Sequence, residues 1–300
     1  MKKINKEYWF VILSGILFGS IVFGGKIFAN LGLSLYEISV LPFAFATIIL
    51  FWFVIFKKEC RFRKEMLTTL FLYGFATLLV TVCQFGAVIL GASVAITVLL
   101  LYTQPLWTII FSTIFLKERA ALIDIVSCII VLIGIVILIN PFQTGTMSNR
   151  VGLLVALAGG ISLSGWVVLG SKLSKKGNHP INSFFSGNLF MIVILLLFYP
   201  LMASLIKNKS LIGFSLNFSP VIWFYIILYG LLTVLVAHLF YLYGVKKVPT
   251  IDAGIILLLE PIVGSLLAAI FLSQPITPNV FIGGFLILSA NYLILTKKTS

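Results

Sequence analysis

Ten apolar stretches, each long enough to cross a lipid bilayer, limit what this chain can fold into. A bilayer core is about 30 Å thick and takes about 20 helical residues to cross. The stretches are too long for barrel strands and lack alternating hydrophobicity, so we predict helices. The predicted spans are Tyr8–Phe28, Leu35–Phe56, Leu67–Ile89, Ala92–Leu116, Ile123–Ile139, Val151–Leu173, Ile181–Leu205, Val221–Val245, Thr250–Leu272 and Val280–Leu295. The expected fold is an all-α integral membrane protein with ten transmembrane helices.

The composition indicates that lipid is the solvent of this chain. It has 300 residues, 61% hydrophobic and 10% charged, whereas a soluble domain is about half apolar and a quarter charged. The net charge of +13 is spread in short groups between the apolar stretches, which is typical of membrane topology and argues against a nucleic-acid partner. The cysteines Cys60, Cys83 and Cys128 are widely spaced, so we expect neither a disulfide framework nor a metal site.

The Lys and Arg residues predict the orientation in the membrane. If the ten spans alternate in direction, 17 of the 21 basic residues lie on one side and 4 on the other. Because Lys and Arg stay on the cytoplasmic side, we expect both termini in the cytoplasm and a multi-pass protein in the plasma membrane. The apolar stretch after Lys2 and Lys3 lacks a convincing cleavage site, so we interpret it as a retained first helix and not as a signal peptide.

Two stretches in the middle of apolar spans indicate an internal duplication. They are Tyr102-Thr103-Gln104-Pro105 and Leu258-Leu259-Glu260-Pro261, and the spans match without a gap from about Ala92 and Val248 onward. We predict a first repeat at 1–140 and a second at 150–298, each with five spans. Because each repeat has an odd number of spans, the first repeat starts on the inside of the membrane and the second on the outside. The two repeats must therefore have opposite orientations in the membrane. Such repeats recur in secondary transporters, whose substrate site lies near mid-membrane between the halves.

Both repeats end in a helix with a central proline, a short polar turn and a last helix. The first has Pro105 and Leu116-Lys117-Glu118, while the second has Pro261 and Gln274 where the Glu would stand. With ten spans and two five-helix copies, the chain resembles the EamA family of the drug/metabolite transporter superfamily over essentially its whole length. The resemblance implies gradient-driven transport of amino acids, metabolites or drugs, without an ATP site or cofactor. In agreement, the sequence has no G-x-x-x-x-G-K-[ST] motif.

Glu260 is the first candidate for the functional site. Helical rise places it about 15 Å from Thr250, close to mid-bilayer. A carboxylate there costs about 3 kcal/mol on insertion scales, so such acids tend to face a cavity or a partner. We interpret Glu260 as binding a cationic part of a substrate or carrying a coupled proton; the alternative is a protonated Glu with one interhelical hydrogen bond. Its repeat counterpart Gln104 is about 18 Å from Ala92, which predicts an asymmetric site unless the amide only joins helices.

Tyr102, Trp166 and His238 complete the predicted substrate-binding set. Tyr102 and Trp166 are deep aromatic residues that could offer a ring face to an ammonium group, with plain packing as the alternative. His238 could titrate near neutrality and join a proton path with Glu260. The alternative for His238 is a hydrogen bond to a neighbouring helix.

The two prolines are predicted to kink their helices. Pro105 and Pro261 each leave a carbonyl one turn earlier without its usual donor, and a neighbour, water or ligand must satisfy it. A bend would suit a helix that rocks, although a kink without ligand contact is an alternative. Small residues at one-turn spacing predict close helix contacts that can slide or stay fixed; these pairs are Gly15 with Gly19, Ser20 with Gly24, and Gly160 with Ser164.

Three further acids lie near predicted span ends. They are Glu37, Asp124 and Asp252. We expect water to reach these side chains, and we expect them to act at helix starts.

Taken together, the sequence predicts a secondary active transporter, a permease or exporter, for a small polar metabolite such as an amino acid or amine. Transport would proceed by alternating access with ion or proton coupling, and no enzymatic activity is expected. The expected partners are a small-molecule substrate and the lipid bilayer, with a homodimer left open. One alternative is a membrane-embedded enzyme acting on a lipid-linked substrate, for which clustered carboxylates are missing. The other is a non-transporting membrane scaffold.

Overall fold

The computed structural model describes residues 5–61, 63–90, 92, 94–140, 149–272 and 276–297. Within this part of the chain the regular structure is entirely helical, and ten spans are long and apolar enough to cross a membrane. The prediction of an all-α membrane protein with ten helices is therefore confirmed. Gln274 and most of the loop between the two repeats lie outside the described residues.

Six of the described spans are single helices. They are span 2 (Leu35–Phe56), span 3 (Leu67–Ile89), span 5 (Leu122–Ile139), span 6 (Arg150–Lys175), span 7 (Pro180–Leu205) and span 10 (Pro278–Thr296). Spans 2 and 3 have the predicted bounds, and the other four begin or end one or two residues away from them. Polar caps help fix the starts: the Ser34 side chain accepts from the backbone N–H of Glu37, and the Glu37 side chain accepts from that of Ser34.

Four described spans are interrupted. Span 1 consists of Lys6–Phe18 and Ser20–Asn30, and span 4 consists of Val94–Leu101, Gln104–Phe111 and the π-helical turn Ser112–Leu116. Span 8 consists of Pro220–Tyr229, the π-helical segment Gly230–Val236 and Ala237–Gly244. Span 9 consists of Thr250–Ile256, the 3₁₀ turn Leu257–Leu259 and Glu260–Leu272. Interruptions of this kind often mark functional positions in helices. The candidate site lies where these four spans meet.

The two halves are interlocked by matching contacts. Span 3 packs along span 6 and span 8 packs along span 1, while span 4 packs on span 6 and span 9 on span 1. Spans 5 and 10 form a pair, as do spans 2 and 7. Glycines let the span 5–10 backbones touch, since a Cβ at Gly283 would lie 2.5 Å from the Gly134 carbonyl oxygen. These exchanged contacts are what two inverted five-helix repeats produce.

Large apolar side chains cover the outside of the bundle. Phe56, Leu205, Ile270 and Phe285 are each at least 70% exposed, as expected for a surface in lipid and not in water. The two ends of the bundle differ in polarity. We call the end that carries residues 5 and 297 the proximal end and the opposite end the distal end.

Candidate functional site

Pro105 and Pro261 lie just beyond the breaks in spans 4 and 9. In span 4 the helix stops at Leu101 and resumes at Gln104, with Pro105 in its first turn. In span 9 the α-helix stops at Ile256, passes through a 3₁₀ turn and resumes at Glu260. A proline provides no N–H and its ring clashes with the preceding turn, which accounts for the position of both breaks.

Glycines from the opposite half lie against the carbonyls at the two breaks. A Cβ at Gly160 of span 6 would lie 2.5 Å from the Leu100 carbonyl oxygen. A Cβ at Gly15 of span 1 would lie 3.1 Å from the Ile256 carbonyl oxygen. Each broken helix is thus supported by the first helix of the other repeat. This contact explains the small residues that the sequence places in spans 1 and 6.

Glu260 lies at the junction of the four interrupted spans. The Tyr102 hydroxyl of span 4 interacts with its carboxyl group, and Tyr229 of span 8 lies close enough to interact with it electrostatically. On the side of span 1, a Cβ at Gly19 would lie 3.0 Å from the Glu260 carbonyl oxygen. Because Tyr102 is only 5% exposed, a carboxyl group directed at it points into the bundle. Glu260 itself keeps part of its surface accessible.

Gln104 belongs to a different set of polar contacts. Its side-chain amide donates to the Thr108 hydroxyl one turn later, and Thr108 donates to the Ser164 hydroxyl of span 6 at 3.1 Å. The amide also lies against span 9, where a Cβ at Gly254 would be 3.0 Å from Gln104 Nε2. All three polar residues are buried. Gln104 is therefore enclosed and hydrogen-bonded, and Glu260 is not among its described partners.

Trp166 and His238 belong to an aromatic cluster beside the acid. Trp166 is stacked between Tyr73 and Tyr241, with ring centroids 5.8 and 4.7 Å away. Its ring meets His238 edge-on at 5.5 Å, and His238 Nδ1 lies 2.6 Å from the Val234 carbonyl oxygen of the π-helical segment. Phe18 contacts both rings and directly precedes Gly19. The aromatic cluster and Glu260 are therefore adjacent through span 1.

The five residues predicted from sequence thus fall into three groups. Glu260 and Tyr102 are in contact, Trp166 and His238 are in contact, and Gln104 has partners of its own. Sequence reasoning missed Tyr229, whose hydroxyl donates to the Ile21 carbonyl oxygen of span 1 at 3.3 Å, because its position in span 8 does not reveal its neighbours. It also missed Thr108, although Gln104 and Thr108 are at one-turn spacing and could have been expected to bond.

The expectation that water reaches the acids near the span ends was wrong. Glu37, Asp124 and Asp252 are 4%, 1% and 0% exposed. Glu37 and Asp124 do act at helix starts, since Asp124 accepts from the Ala121 N–H at 2.9 Å. Asp252 instead pairs with Lys297 and accepts from the Tyr8 hydroxyl at 2.7 Å. Buried acids need partners, and these come from helices that are distant in sequence.

The charge of Lys297 is stabilised by this environment. Lys297 directly follows span 10, and its ammonium group pairs with Asp124 at 2.6 Å as well as with Asp252. Burial disfavours the charged form, but the two carboxylates outweigh it and raise the pKa of Lys297 above its ordinary value. The lysine is therefore positively charged at neutral pH.

Two surface cavities have linings that include none of the five candidate site residues. One of about 580 Å³ at the distal end is lined by residues that include Glu37, Lys207 and Lys209. The other, of about 340 Å³, lies between spans 1 and 8 and has an apolar and aromatic lining that includes Phe10 and Tyr243. The candidate site is thus a set of contacts at a helix junction.

The interlocked inverted repeats with proline-broken helices at their centre define a multi-pass membrane protein of the transporter type. The chain belongs to the EamA-like transporter family, whose model matches residues 5–140 and 150–296. This family is part of the drug/metabolite transporter superfamily. The protein is therefore a membrane transporter.

Similar proteins agree with this assignment. An "Uncharacterized transporter" of Clostridium kluyveri is 26% identical over 93% of this chain and 90% of its own length. An "Uncharacterized transporter" of Archaeoglobus fulgidus is 25% identical over 97% of this chain and 99% of its own length. A solved crystal structure of a protein with 16% identity matches the fold with a TM-score of 0.78, over 97% of this chain and 96% of that chain.

Proposed function

We propose that this protein is a secondary active transporter, a permease or exporter, that moves a small polar metabolite such as an amino acid or amine by alternating access. The observation that carries the proposal is the position of Glu260 at the junction of four interrupted spans from both halves. An acid at that depth is costly unless it has a partner or a function. Glu260 binds a cationic group of the substrate or carries the coupled proton.

The surrounding residues support this role. Tyr102 faces Glu260 and can donate a hydrogen bond to whichever form of the carboxyl group binds the substrate. Trp166 and His238 lie on the far side of the Phe18–Gly19 turn from Glu260. Because Tyr73 and Tyr241 cover the faces of the Trp166 ring, the ring edges of this cluster would contact the less polar part of the same substrate. Gln104 lies in the first repeat, opposite Glu260 of the second, and it contributes by holding the broken helix of span 4 in place.

The way the halves are joined supports alternating access. Pro105 and Pro261 give spans 4 and 9 a bend at mid-helix, and Gly160 and Gly15 let the opposite half slide along that bend with few side chains in the way. Rocking of one repeat against the other around a fixed site is the usual mechanism of inverted-repeat transporters. The proximal end, which carries residues 5 and 297, faces the cytoplasm, and the membrane is the plasma membrane.

A substrate screen followed by a flux measurement tests the proposal. Purified protein is screened by thermal shift against amino acids, amines, sugars and nucleosides. Ligands that stabilise the protein are then tested for uptake into proteoliposomes with an imposed pH gradient. We expect amine-containing compounds to stabilise the native protein and the Glu260→Gln variant to lose both the shift and the flux.

The control is the Thr108→Val variant, which changes the enclosed polar contacts of the first repeat and leaves Glu260 intact. Its flux should stay close to that of the native protein. Unchanged flux in Glu260→Gln contradicts the assignment of Glu260. Native flux in a protein with Ala at both Glu260 and Gln104 contradicts a substrate site at this junction.

A further inference from the structure

The ion pairs between described residues all lie at the proximal end. Lys297 pairs with Asp124 and Asp252, Lys175 with Glu118, and Lys247 with Glu7. The last pair is at the surface, with a lysine side chain that is 69% exposed. The others are buried or partly buried and join segments that are distant in sequence. Such one-sided placement calls for a physical reason, because buried charges are costly to maintain.

Lys297 is the centre of a cluster drawn from both halves. Its ammonium group lies 2.6 Å from an Asp124 oxygen in the first turn of span 5 and also pairs with Asp252 in the first turn of span 9. Tyr8 of span 1 donates to the second Asp252 oxygen at 2.7 Å. Spans 1 and 5 belong to the first repeat, and spans 9 and 10 to the second. The cluster therefore holds the two halves together at this end.

Glu118 forms a second connection next to the first. This residue lies between spans 4 and 5, and it accepts from the Thr250 N–H at 2.9 Å and from the Thr250 hydroxyl at 2.7 Å. Lys175 of span 6 pairs with the same carboxylate. Thr250 is two residues before Asp252, so both connections act on the first turn of span 9. The start of this broken helix is thus fixed to the first repeat by charged groups.

The distal end has no such charges at the corresponding positions. When the repeats are aligned on Pro105 and Pro261, Asp252 corresponds to Ile96, Asp124 to Val280 and Lys297 to Pro141. At the distal end the described connections between the halves include hydrogen bonds from span 2 to the loop after span 7 and a close approach of Gly152 of span 6 to the Ala87 carbonyl oxygen of span 3. The Ser34 hydroxyl donates to the Gly213 carbonyl at 2.6 Å, and Glu37 accepts from the Ser215 N–H at 2.6 Å. These are hydrogen bonds to backbone groups and not ion pairs between side chains.

We propose that Asp124, Lys297 and Asp252 form an ionic lock that keeps the proximal end closed in the substrate-free protein. This inference rests on the proposed alternating-access function. Opening the proximal end separates a lysine from two buried carboxylates and leaves all three charges without partners until water enters. Opening the distal end separates apolar side chains and backbone hydrogen bonds at the corresponding positions. The resting state is therefore closed at the proximal end, and each transport cycle has to break the lock.

Accessibility of a single thiol tests the lock without measuring transport. Cys60, Cys83 and Cys128 are replaced by alanine, and Ser14 is replaced by cysteine. Ser14 is fully buried in span 1 and its hydroxyl has no hydrogen-bond partner among the described residues, so a thiol should be tolerated. It lies about 9 Å deeper than Tyr8 by helical rise. A membrane-impermeant maleimide is added from either side of proteoliposomes, and the proximal side is identified by protease access to a C-terminal tag.

We expect Lys297→Met to raise the rate of labelling from the proximal side by about 10-fold or more, which is about 1.4 kcal/mol in the closed-to-open equilibrium. Lys297→Arg keeps the charge and should stay within about 2-fold of the native rate, a difference below about 0.5 kcal/mol. Lys247→Ala breaks the exposed pair and should leave the rate unchanged.

Equal rates in Lys297→Met and the native background overturn the lock. A rise from both sides, or loss of a single peak in size-exclusion chromatography, means a loosened fold and also overturns it. The outcome is independent of the flux measurement on Glu260. If the proposed function is wrong, the Glu260→Gln variant has normal flux. If the lock is wrong, the Lys297→Met variant has an unchanged rate of thiol labelling.

Discussion

The breaks in spans 4 and 9 have the same backbone plan but different side chains. Aligned on the prolines, Gln104 corresponds to Glu260 and Thr108 to Gly264. In the supporting helices, Gly160 and Gly15 occupy matching positions, and Ser164 corresponds to Gly19. The first break therefore carries a chain of side-chain hydrogen bonds from Gln104 through Thr108 to Ser164.

The second break replaces the last two members of that chain with glycines. A Cβ at Gly264 would lie 3.1 Å from the Gly19 carbonyl oxygen, so the two backbones touch where the first break has hydroxyl groups. Glu260 thus has no hydroxyl partner one turn along its own helix, and its carboxyl group interacts with Tyr102 across the bundle. One copy of the duplicated unit encloses its polar group, while the other leaves its polar residue partly accessible.

The largest effect is expected when the central residues of the two breaks, Gln104 and Glu260, are made the same. In Glu260→Gln the second break receives the residue that the first break already tolerates, so we expect a folded protein. Loss of the carboxylate removes the cation-binding or proton-carrying group. Flux in proteoliposomes should fall at least about 100-fold, which is about 2.7 kcal/mol. A folded variant with more than about a tenth of native flux would contradict this expectation.

A smaller effect is expected from giving Glu260 a local partner. Gly264→Ser places a hydroxyl at the position that Thr108 occupies in the first break, where it can bond Glu260 as Thr108 bonds Gln104. Gly264→Ala adds the same Cβ without the hydroxyl and serves as the matched control. We expect about a 10-fold loss of flux for Ser relative to Ala, or about 1.4 kcal/mol. Equal flux in the two variants would show that space, and not hydrogen bonding, matters at this position.

Tyr102→Phe tests whether the contact across the bundle matters. The ring and its packing are kept, while the hydroxyl that faces Glu260 is lost. A single interhelical hydrogen bond in a membrane protein contributes about 0.6 kcal/mol and at most about 1.7 kcal/mol. The affinity for substrate, measured by calorimetry, should therefore fall by about 3- to 18-fold. Native affinity in this variant would remove Tyr102 from the site.

The positions of the spans could be predicted because they depend on local sequence. Apolar length sets where a helix can cross, and a proline within a span favours a break, as before Pro105 and Pro261. Pro42 and Pro200 nevertheless stay inside the single helices of spans 2 and 7, so a proline alone does not decide where a span is interrupted. The partners could not be predicted. Lys297 bonds Asp124 at a separation of 173 positions, and nothing in the sequence near either residue indicates the other. Asp252 was expected near water for the same reason, since its burial depends on Tyr8 and Lys297.

The smallest expected effect concerns the enclosed break, where only stability should change. Thr108→Val keeps the shape of the side chain but leaves the Gln104 amide and the Ser164 hydroxyl without their common partner. Because these groups are buried and the Thr108–Ser164 bond joins spans 4 and 6, we expect a loss of about 0.6 to 1.7 kcal/mol in stability. Thermal unfolding should report this change while flux stays within about 2-fold of native, a difference below about 0.5 kcal/mol. A large loss of flux with unchanged thermal stability would mean that the first break binds substrate as well, and the functional asymmetry between the two repeats would have to be abandoned.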